Sequence, residues 1–468
     1  MKKLAALIFL MLSAFHPLKA QGKPNVVFIL ADDLGYGDAG AYGQKLIRTP
    51  NIDQLAENGM LFTQFYAGTS VCAPSRSSLM TGQHTGHTPI RGNYEINPEG
   101  QRPLPDSTIT IAKIFKKAGY TTGDFGKWGL GFAGSSGDPL NQGFDRFYGY
   151  NCQRQSHNYF PEHLWDNTQK VILANDLVKL KEYAPDLIQK EALNFIEVNK
   201  AQPFFLYLSY TLPHAGLQLP VGNEDFEQYK KTFNEQPKPI KKEWDGNGYQ
   251  PQAYPHAAYA AMVTTLDTYV GQVVAKLKAL GLDKNTLIVF TSDNGPHREG
   301  GNDPEFFNSS GGFKGIKRSL YEGGIREPMI VYWPGKIGQG KRTQQTGAFW
   351  DFLPTFAELI QQPVPVHTDG ISILPTLLSK GKQQQHEFLY WEFHEDGGRQ
   401  AIRKRKWKAV KNKADTEASK WELYNLETDP QESYDLAAQE PILIRQLEEI
   451  AHQSHRPSDV PEWNFKRN

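Results

Sequence analysis

Apolar residues along this chain follow two alternating rhythms. Asn25-Val26-Val27-Phe28-Ile29-Leu30 is an unbroken apolar run of strand length, the pattern of a strand covered on both faces. Thr49-Pro50-Asn51 then opens a short helix with Ile52 and Leu55 on one face, and Gly59 ends it before the strand-like Leu61 to Tyr66. Ile111, Ile114 and Phe115 repeat at helical spacing, stop at Gly119 and lead through Tyr120 to Phe125 into Gly126-Lys127-Trp128. A helix over Pro185 to Val198 precedes the run Phe204-Phe205-Leu206-Tyr207-Leu208. Another, with Leu266, Tyr269, Val270, Val273 and Leu277 on one face and a cap at Gly281, precedes Leu287-Ile288-Val289-Phe290. Helix alternating with apolar strand predicts an α/β fold, a large and mostly parallel sheet with helices on both faces.

In such sheets ligands bind beyond the strand C-termini. Asp32 and Asp33, Lys127, His214, and Asp293 with Asn294 all fall just past predicted strands, so residues far apart in the chain are expected on one rim. From Gly216 to Pro255 the chain turns polar and rich in Pro, Lys and aromatic residues, too long for an ordinary connection. It is expected to be a cleft-rim insertion or a surface excursion. From about Gln383 the period changes to that of strands, over Glu387 to Phe393, Arg399 to Lys406, Lys408 to Val410 and Trp421 to Tyr424, with a closing helix near Pro441 to His452. This predicts a small antiparallel C-terminal subdomain, residues 383–468, after a catalytic domain of residues 21–382. Arg403-Lys404-Arg405-Lys406 is read as a solvated hairpin edge in preference to an anion patch.

The 468 residues are 39% hydrophobic and 12% aromatic, enough for a sizeable core. Lys plus Arg and Asp plus Glu number 51 each, so no global positive field gathers nucleic acid, and affinity for anions must be local. Met1-Lys2-Lys3, the apolar run Leu4 to Ala14 and Leu18-Lys19-Ala20 read as a signal peptide over residues 1–20, which predicts a periplasmic or secreted protein. No cysteine immediately follows the expected cleavage site and no later apolar run is long enough to span a bilayer, so no membrane anchor is expected.

The only cysteines are Cys72 and Cys152, which an exported protein could pair. In the stretch from Ser70 to Gly82, Pro74 near the first helical position and Gly82 as a C-cap predict a helix that Cys72 opens. Unpaired N–H groups and the helix dipole there favour a thiolate or a bound oxyanion, and Arg76 at i+4 adds positive charge to the same face. The alternative is a buried or disulfide-bonded cysteine. Asp32, Asp33, Asp293 and Asn294 offer only oxygen ligands, which suit Ca²⁺ or Mg²⁺ better than zinc. Arg76, Lys127, His214 and Lys317 supply the cations that a doubly charged tetrahedral transition state needs, so the set suits sulfuryl or phosphoryl transfer.

Cys72-Ala73-Pro74-Ser75-Arg76, with Thr81-Gly82, resembles the C-x-P-S-R signature of type I sulfatases, the formylglycine-dependent, arylsulfatase-like branch of the alkaline phosphatase superfamily. Asp32-Asp33, Gly119 to Gly123 with Gly126-Lys127-Trp128, Pro213-His214, Asp293-Asn294-Gly295 and Tyr321-Glu322-Gly323-Gly324-Ile325-Arg326 stand in sulfatase order, so the resemblance covers nearly the whole mature chain. It implies an alkaline-phosphatase-like fold, Cα-formylglycine made from Cys72 by a maturating enzyme, and Ca²⁺ on Asp32, Asp33, Asp293 and Asn294. It also implies that Arg76, Lys127, His214 and Lys317 grip the sulfate. In the implied mechanism one hydroxyl of the hydrated aldehyde attacks sulfur in line, and His214 or Lys317 protonates the leaving alcohol. The second hydroxyl then loses its proton and expels sulfate.

The chain departs from the pattern at Lys127-Trp128-Gly129, where many relatives carry His in the third place; His84, His87 and His297 are the available stand-ins. The substrate implied is a sulfated glycan, with small aryl sulfates turned over because their phenol leaves easily. His157 and Asn158, in the stretch Gln153 to Tyr159, and His394 are expected to read the sugar. A metal-dependent phosphodiesterase or phosphatase of the same superfamily is the alternative function, though such relatives use a Ser or Thr nucleophile and an Asp-His pair where this chain has Asp293-Asn294. A non-catalytic glycan-binding protein would leave Cys72 unmodified.

Overall fold

Every residue of the first apolar run is buried in a strand, β1 (Asn25–Ala31). Its side chains divide by pleat: Val27, Ile29 and Ala31 enter one core, Val26, Phe28 and Leu30 the other. That two-sided burial is why the run carries no polar alternation. The structure, a computed structural model, describes residues 22–176, 178–240 and 244–466; the signal peptide expected over residues 1–20 lies outside them.

Ten further strands complete an 11-stranded sheet: β2 (Met60–Tyr66), β3 (Thr121–Lys127), β4 (Arg146–Tyr150), β5 (His163–Asp166), β6 (Gln169–Ile172), β7 (Phe204–Ser209), β8 (Thr286–Ser292), β9 (Arg326–Tyr332), β10 (Lys341–Thr343) and β11 (Gly347–Ala348). Their order is β10-β2-β9-β8-β1-β7-β3-β4-β5-β6, with β11 also on β2. From β8 to β4 the pairs are parallel, while β9 runs against both β8 and β2, and β5 and β6 fold back antiparallel at the far margin. Because β1 has a parallel partner on each side, the connections diverge at its C-terminus and leave a crevice there.

Six helices bear on the site: α1 (Pro50–Glu57), α2 (Cys72–Thr81), α3 (Ile111–Lys117), α4 (Ala184–Val198), α5 (Glu224–Phe233) and α6 (Pro255–Ala279). α1, α4 and α6 cover one face of the sheet through residues such as Ile52, Ile188 and Val270, and α2 and α3 cover the other through Leu79 and Phe115. All ten residues of α2 are buried, so it shows no amphipathic stripe. Gly82 ends it with φ +67°, the left-handed cap that glycine adopts without strain, and Pro74 falls at its third position, not its first.

The polar excursion from Gly216 to Pro255 contains α5, which its composition had masked. Asn223 caps that helix by accepting Phe226 N–H at 2.8 Å, and the Tyr229 hydroxyl joins Thr264 of α6 at 2.9 Å. Nearer α6 the excursion returns to the sheet rim with Tyr249.

Beyond the large sheet lies a four-stranded antiparallel one, β12 (Leu389–Phe393), β13 (Arg399–Lys404), β14 (Trp407–Asn412) and β15 (Trp421–Asn425). One face presents Leu389, Trp391 and Val410 to Tyr66, Ile325 and Trp350; the other packs Tyr390, Ile402 and Leu423 under the helix Pro441–Ser454. The Arg403 to Lys406 run does form a hairpin, because β13 ends at Lys404 and Arg405 and Lys406 make the turn, but Arg403 corrects its reading as solvated throughout. Arg403 faces inward at 8% exposure and bonds the Tyr66 hydroxyl, while Arg405 is exposed.

Glu392 sits wholly buried on β12, accepting from Tyr390 Oη at 2.9 Å and meeting His455 Nδ1 at 2.8 Å and His394 Nε2 at 2.9 Å. Burial pushes its carboxyl up, but the two histidines hold it down at about 2. Glu392→Gln is expected to cost about 2–4 kcal/mol of stability at neutral pH by chemical denaturation. A depressed carboxyl stabilises the fold fully above its ordinary value of 4.5 and loses that contribution as pH falls toward about 2. The gap between wild type and variant is therefore expected to narrow through that window. A gap that stays constant there would contradict the assignment.

Candidate active site

Leu30 pairs with Ser209 on one side, and Ala31 pairs with Ser292 on the other, so the C-termini of β1, β7 and β8 end level. Backbone bonds lock the exits: Asp32 N–H donates to Leu212 O at 3.1 Å and Asp293 N–H to Ala31 O at 3.0 Å. Asp33 turns away with φ +63°, a left-handed conformation uncommon outside glycine, and its N–H donates to Asp293 Oδ1 at 3.1 Å. Lys127 is the last residue of β3, and His214 follows β7, where the Tyr159 hydroxyl donates to His214 O at 2.8 Å.

The predicted rim residues converge. Lys127 Nζ lies 2.6 Å from Asp32 Oδ2, and Lys317 Nζ lies 2.7 Å from Asp33 Oδ2. Arg76 reaches from α2 to Asp293, with Nε donating to Oδ2 at 3.0 Å, while Nη1 holds Lys127 O at 2.6 Å. Its Nη2 is 2.9 Å from the same Asp293 oxygen but lacks hydrogen-bonding alignment, which leaves an N–H for an incoming oxyanion. Ser75, whose hydroxyl donates to Asp293 O at 2.6 Å, also belongs to this frame and was missed in the sequence.

Burial alone would raise the Asp32 carboxyl, but Lys127, His214, Arg76 and Lys317 around it hold it well below the usual carboxylate range. Asp293 is pushed up to about 7, by burial first and then by Asp32. His214 is pushed well below its ordinary value by burial and Lys317, so its ring is neutral. Lys317 Nζ, 3.0 Å from His214 Nε2, donates there, which puts the ring proton on Nδ1 facing Ala215 O.

The donor set fits a hard divalent cation. Asp32, Asp33, Asp293 and Asn294 are completely buried, and Asn294 Oδ1 has no hydrogen-bond partner while its Nδ2 donates to Asp33 Oδ1 at 2.6 Å. Asp32, Asp33, Cys72 and His214 also offer ligand atoms within 4.8 Å of one another, but His214 Nε2 is already taken by Lys317, which disfavours a softer ion.

Cys72 opens α2 with its Sγ 3.5 Å from Asp32 Oδ1, and neither it nor Cys152 is in a disulfide. The thiolate expected at this helix start is corrected. Burial pushes the thiol well above its ordinary value, with Asp32 adding to the shift, and this outweighs the helix dipole and Lys127. With no cation bound, burial favours the neutral form of an unmodified Cys72 thiol.

Of the residues expected to read a sugar, His157 stands beside the cluster. Its ring stacks on His214 at 5.0 Å between centroids and meets Tyr249 at 4.7 Å. Asn158 does not join it, because its Oδ1 accepts Phe160 N–H at 2.9 Å within its own loop. The His394 ring is engaged by buried Glu392, Nε2 to Oε2 at 2.9 Å. Among the stand-ins for the histidine missing at Gly129, His84 and His87 lie against Asp369, whereas His297 stacks on His214 at 5.7 Å. The space in front of Gly129 is filled by Gln153: a Cβ there would stand 2.1 Å from Gln153 Nε2, an atom with no partner among the described residues.

The sulfatase family profile matches residues 24–362, and the profile of the N-sulphoglucosamine sulphohydrolase C-terminal region matches residues 312–455. The chain is 33% identical over 384 residues to N-acetylgalactosamine-6-sulfatase of Rattus norvegicus, covering 76% of this chain and 66% of that one. It is 32% identical over 437 residues to arylsulfatase A of Homo sapiens, covering 86% and 77%. The crystal structure of Ps i-CgsB superposes with a TM-score of 0.77 at 31% identity, covering 92% of this chain and 93% of the other. With nearly three-quarters of its length matched to the family profile and the rim residues gathered around Cys72, the chain belongs to the sulfatase family and is a sulfuric ester hydrolase.

Proposed function

We propose that this chain is an exported carbohydrate sulfatase, working through formylglycine at position 72 and one Ca²⁺ held by Asp32, Asp33, Asp293 and Asn294. The observation that carries the reading is the placement of Cys72 at the start of a buried helix, 3.5 Å from Asp32 and ringed by Arg76, Lys127, His214 and Lys317. A buried neutral thiol is a poor nucleophile, so the position gains chemistry when a maturating enzyme converts it to the aldehyde, whose hydrate carries the attacking and the eliminating hydroxyls. Bound Ca²⁺ would polarise a sulfate oxygen. Arg76 Nη2 and Lys127 Nζ are the donors for the remaining sulfate oxygens, and the His214–Lys317 pair holds the proton for the leaving alcohol. Residues 1–20 serve as the export signal, residues 21–382 as the catalytic domain and residues 383–468 as its C-terminal cover.

The glycan reading is supported by the similarity to Ps i-CgsB, also solved in complex with k-i-k-neocarrahexaose and 32% identical to this chain in that form. It is supported too by the His157–Tyr249 pair, which presents ring faces and polar edges beside the cluster. The test is sulfate release from a panel of sulfated mono-, di- and oligosaccharides by enzyme co-expressed with a maturating enzyme, with phosphate mono- and diesters as the opposing arm. Turnover confined to aryl sulfates would sink the glycan reading.

His157→Ala is expected to raise KM for the preferred sugar about 10–100-fold with a smaller change in kcat, because burial keeps the imidazole neutral, with a value pushed down to about 2, and suited to accept from or donate to a hydroxyl. Equal losses on aryl sulfate and on sugar would instead assign His157 to positioning His214.

A further inference from the structure

A cavity of about 1240 Å³ lies between the β2 margin of the large sheet and the β13–β14 turn of the small one, sharing no residue with the active site. Its wall carries five cationic side chains, Arg326, Arg403, Lys404, Arg405 and Lys406, against two carboxylates, Glu387 and Glu427. Buried Glu322 behind the wall pairs with Arg326, Nη1 to Oε2 at 3.1 Å, so the excess of positive charge in a chain whose formal charges cancel is carried by the β13–β14 turn.

Two of the cations are built into the wall. Arg326 Nε donates to Thr63 O at 2.8 Å with its guanidinium 4.3 Å over the Phe313 ring. Arg403 bonds Gln64 and Tyr66, and its Nε donates to Arg405 O at 3.1 Å, which pins the turn from beneath. The three cations on that turn are less committed. Lys404 is 3.8 Å from Glu387, and Arg405 and Lys406 form no ion pair among the described residues. Neutral amides, Gln344 and Gln431, share the wall and can bond hydroxyls. Free aromatic faces, which nucleobases need for stacking, are lacking among the cavity's phenylalanines: Phe313 lies under Arg326, and Phe388 packs against the core beneath the closing helix.

The position fits a chain-like ligand. β12 and β13 pair from Phe393–Arg399 to Leu389–Arg403, and the Arg399 end lies near the active site through Glu395, Asn93 and Ala73, the residue after Cys72. The turn is at the opposite end, about 15–20 Å along the strands. An oligosaccharide bridges that distance; a monosaccharide does not.

We infer that this cavity is an accessory binding site for sulfated polysaccharide, retaining one stretch of a polyanionic chain while a sulfate is removed elsewhere along it. The choice of polymer rests on the glycan reading above; the anion site itself does not. The experiment uses the full chain carrying Cys72→Ala, titrated calorimetrically with dextran sulfate and with uncharged dextran at two salt concentrations. Binding to dextran sulfate alone is expected, with affinity falling about tenfold and its salt dependence flattening when K404Q/R405Q/K406Q is added. K116Q/K117Q/K200Q, which removes the same charge elsewhere, is expected to bind like its parent. In enzyme retaining Cys72, the turn variant is expected to turn over nitrophenyl sulfate at the parental rate, which certifies its fold, while KM for a sulfated polymer rises.

Undiminished dextran sulfate affinity in the turn variant, an equal loss in the control variant, or equally tight binding of a short DNA duplex would each overturn the site. If no sulfate ester is hydrolysed by the parent while turn-dependent binding persists, the accessory site stands and the enzymatic reading falls.

Discussion

Cys72→Ala is expected to leave a folded protein with at least about 10⁴-fold lower sulfatase turnover, because in the proposed mechanism position 72 supplies the group that attacks sulfur. The side chain lost is small and keeps its place at the start of α2, where Val71 and Ala73 remain buried around it, so melting temperature is expected to change little. Cys72→Ser is expected to be equally inactive when made in a host whose maturation enzyme acts only on cysteine. Mass spectrometry of the peptide spanning residue 72 is expected to find the aldehyde, in a fraction that scales with specific activity across preparations. Full activity in material holding only unmodified thiol would remove the formylglycine mechanism altogether.

Removal of the proposed Ca²⁺ is expected to have the next largest effect. Asp32, Asp33 and Asp293 bring three carboxylates into a space without solvent, an arrangement that is costly unless cations neutralise it. Chelation is expected to lower the rate by about 10²–10³-fold, with recovery on adding Ca²⁺. Asp293→Asn keeps an acceptor for the Asp33 N–H but removes a charge, so it is expected to weaken Ca²⁺ binding at least about tenfold and to regain activity at high Ca²⁺. Asp293→Ala is expected to be worse in a different way, losing about 3–5 kcal/mol of stability because buried Arg76 then loses the carboxylate it bonds and keeps only Asp32 at 3.6 Å. Wild-type rates from protein shown by elemental analysis to hold no metal would place the chemistry elsewhere.

What could be read from the chain depended on how many faces of an element are covered. β1, β7 and β8 are buried on both faces and announce themselves as unbroken apolar runs, and their ends carried the rim residues with them. β6 is largely exposed and shows no apolar run, and β9 sets the polar opening Arg326-Glu327-Pro328 before its apolar Met329 to Tyr332, which blurs where that strand begins. α5 had a legible frame, Asn223 before Glu224, Asp225 and Glu227 with Lys230 and Lys231 in its last turn, but only Tyr229 is buried and the rest looks like loop. His394 stands just past a strand, as a rim residue does, but its ring is engaged by Glu392 at 2.9 Å. Its partner Glu392 is two positions earlier, on the same face of the extended chain, and a pair at that spacing is a signal that the sequence does contain. Gln153 in front of Gly129 had no such signal, since the two meet only through tertiary packing.

The register of β1 also sets a clock on biosynthesis. Val26 pairs with Phe205 and Leu287, which leave the ribosome 179 and 261 residues later. At roughly 5–20 residues per second, the run Val26 to Leu30 waits about 13–50 s for its second neighbour. Until β7 is made the nascent chain carries a wholly apolar strand without either neighbour, and until β8 follows one edge of it stays open, the kind of segment that holdase chaperones cover. Cys72 is synthesised early in the same interval, and the Asp293 that pairs with its neighbour Arg76 is made only after β8. Codon changes or temperatures that alter elongation across residues 205–287 are therefore expected to shift both the aggregated fraction and the time for which residue 72 can be reached.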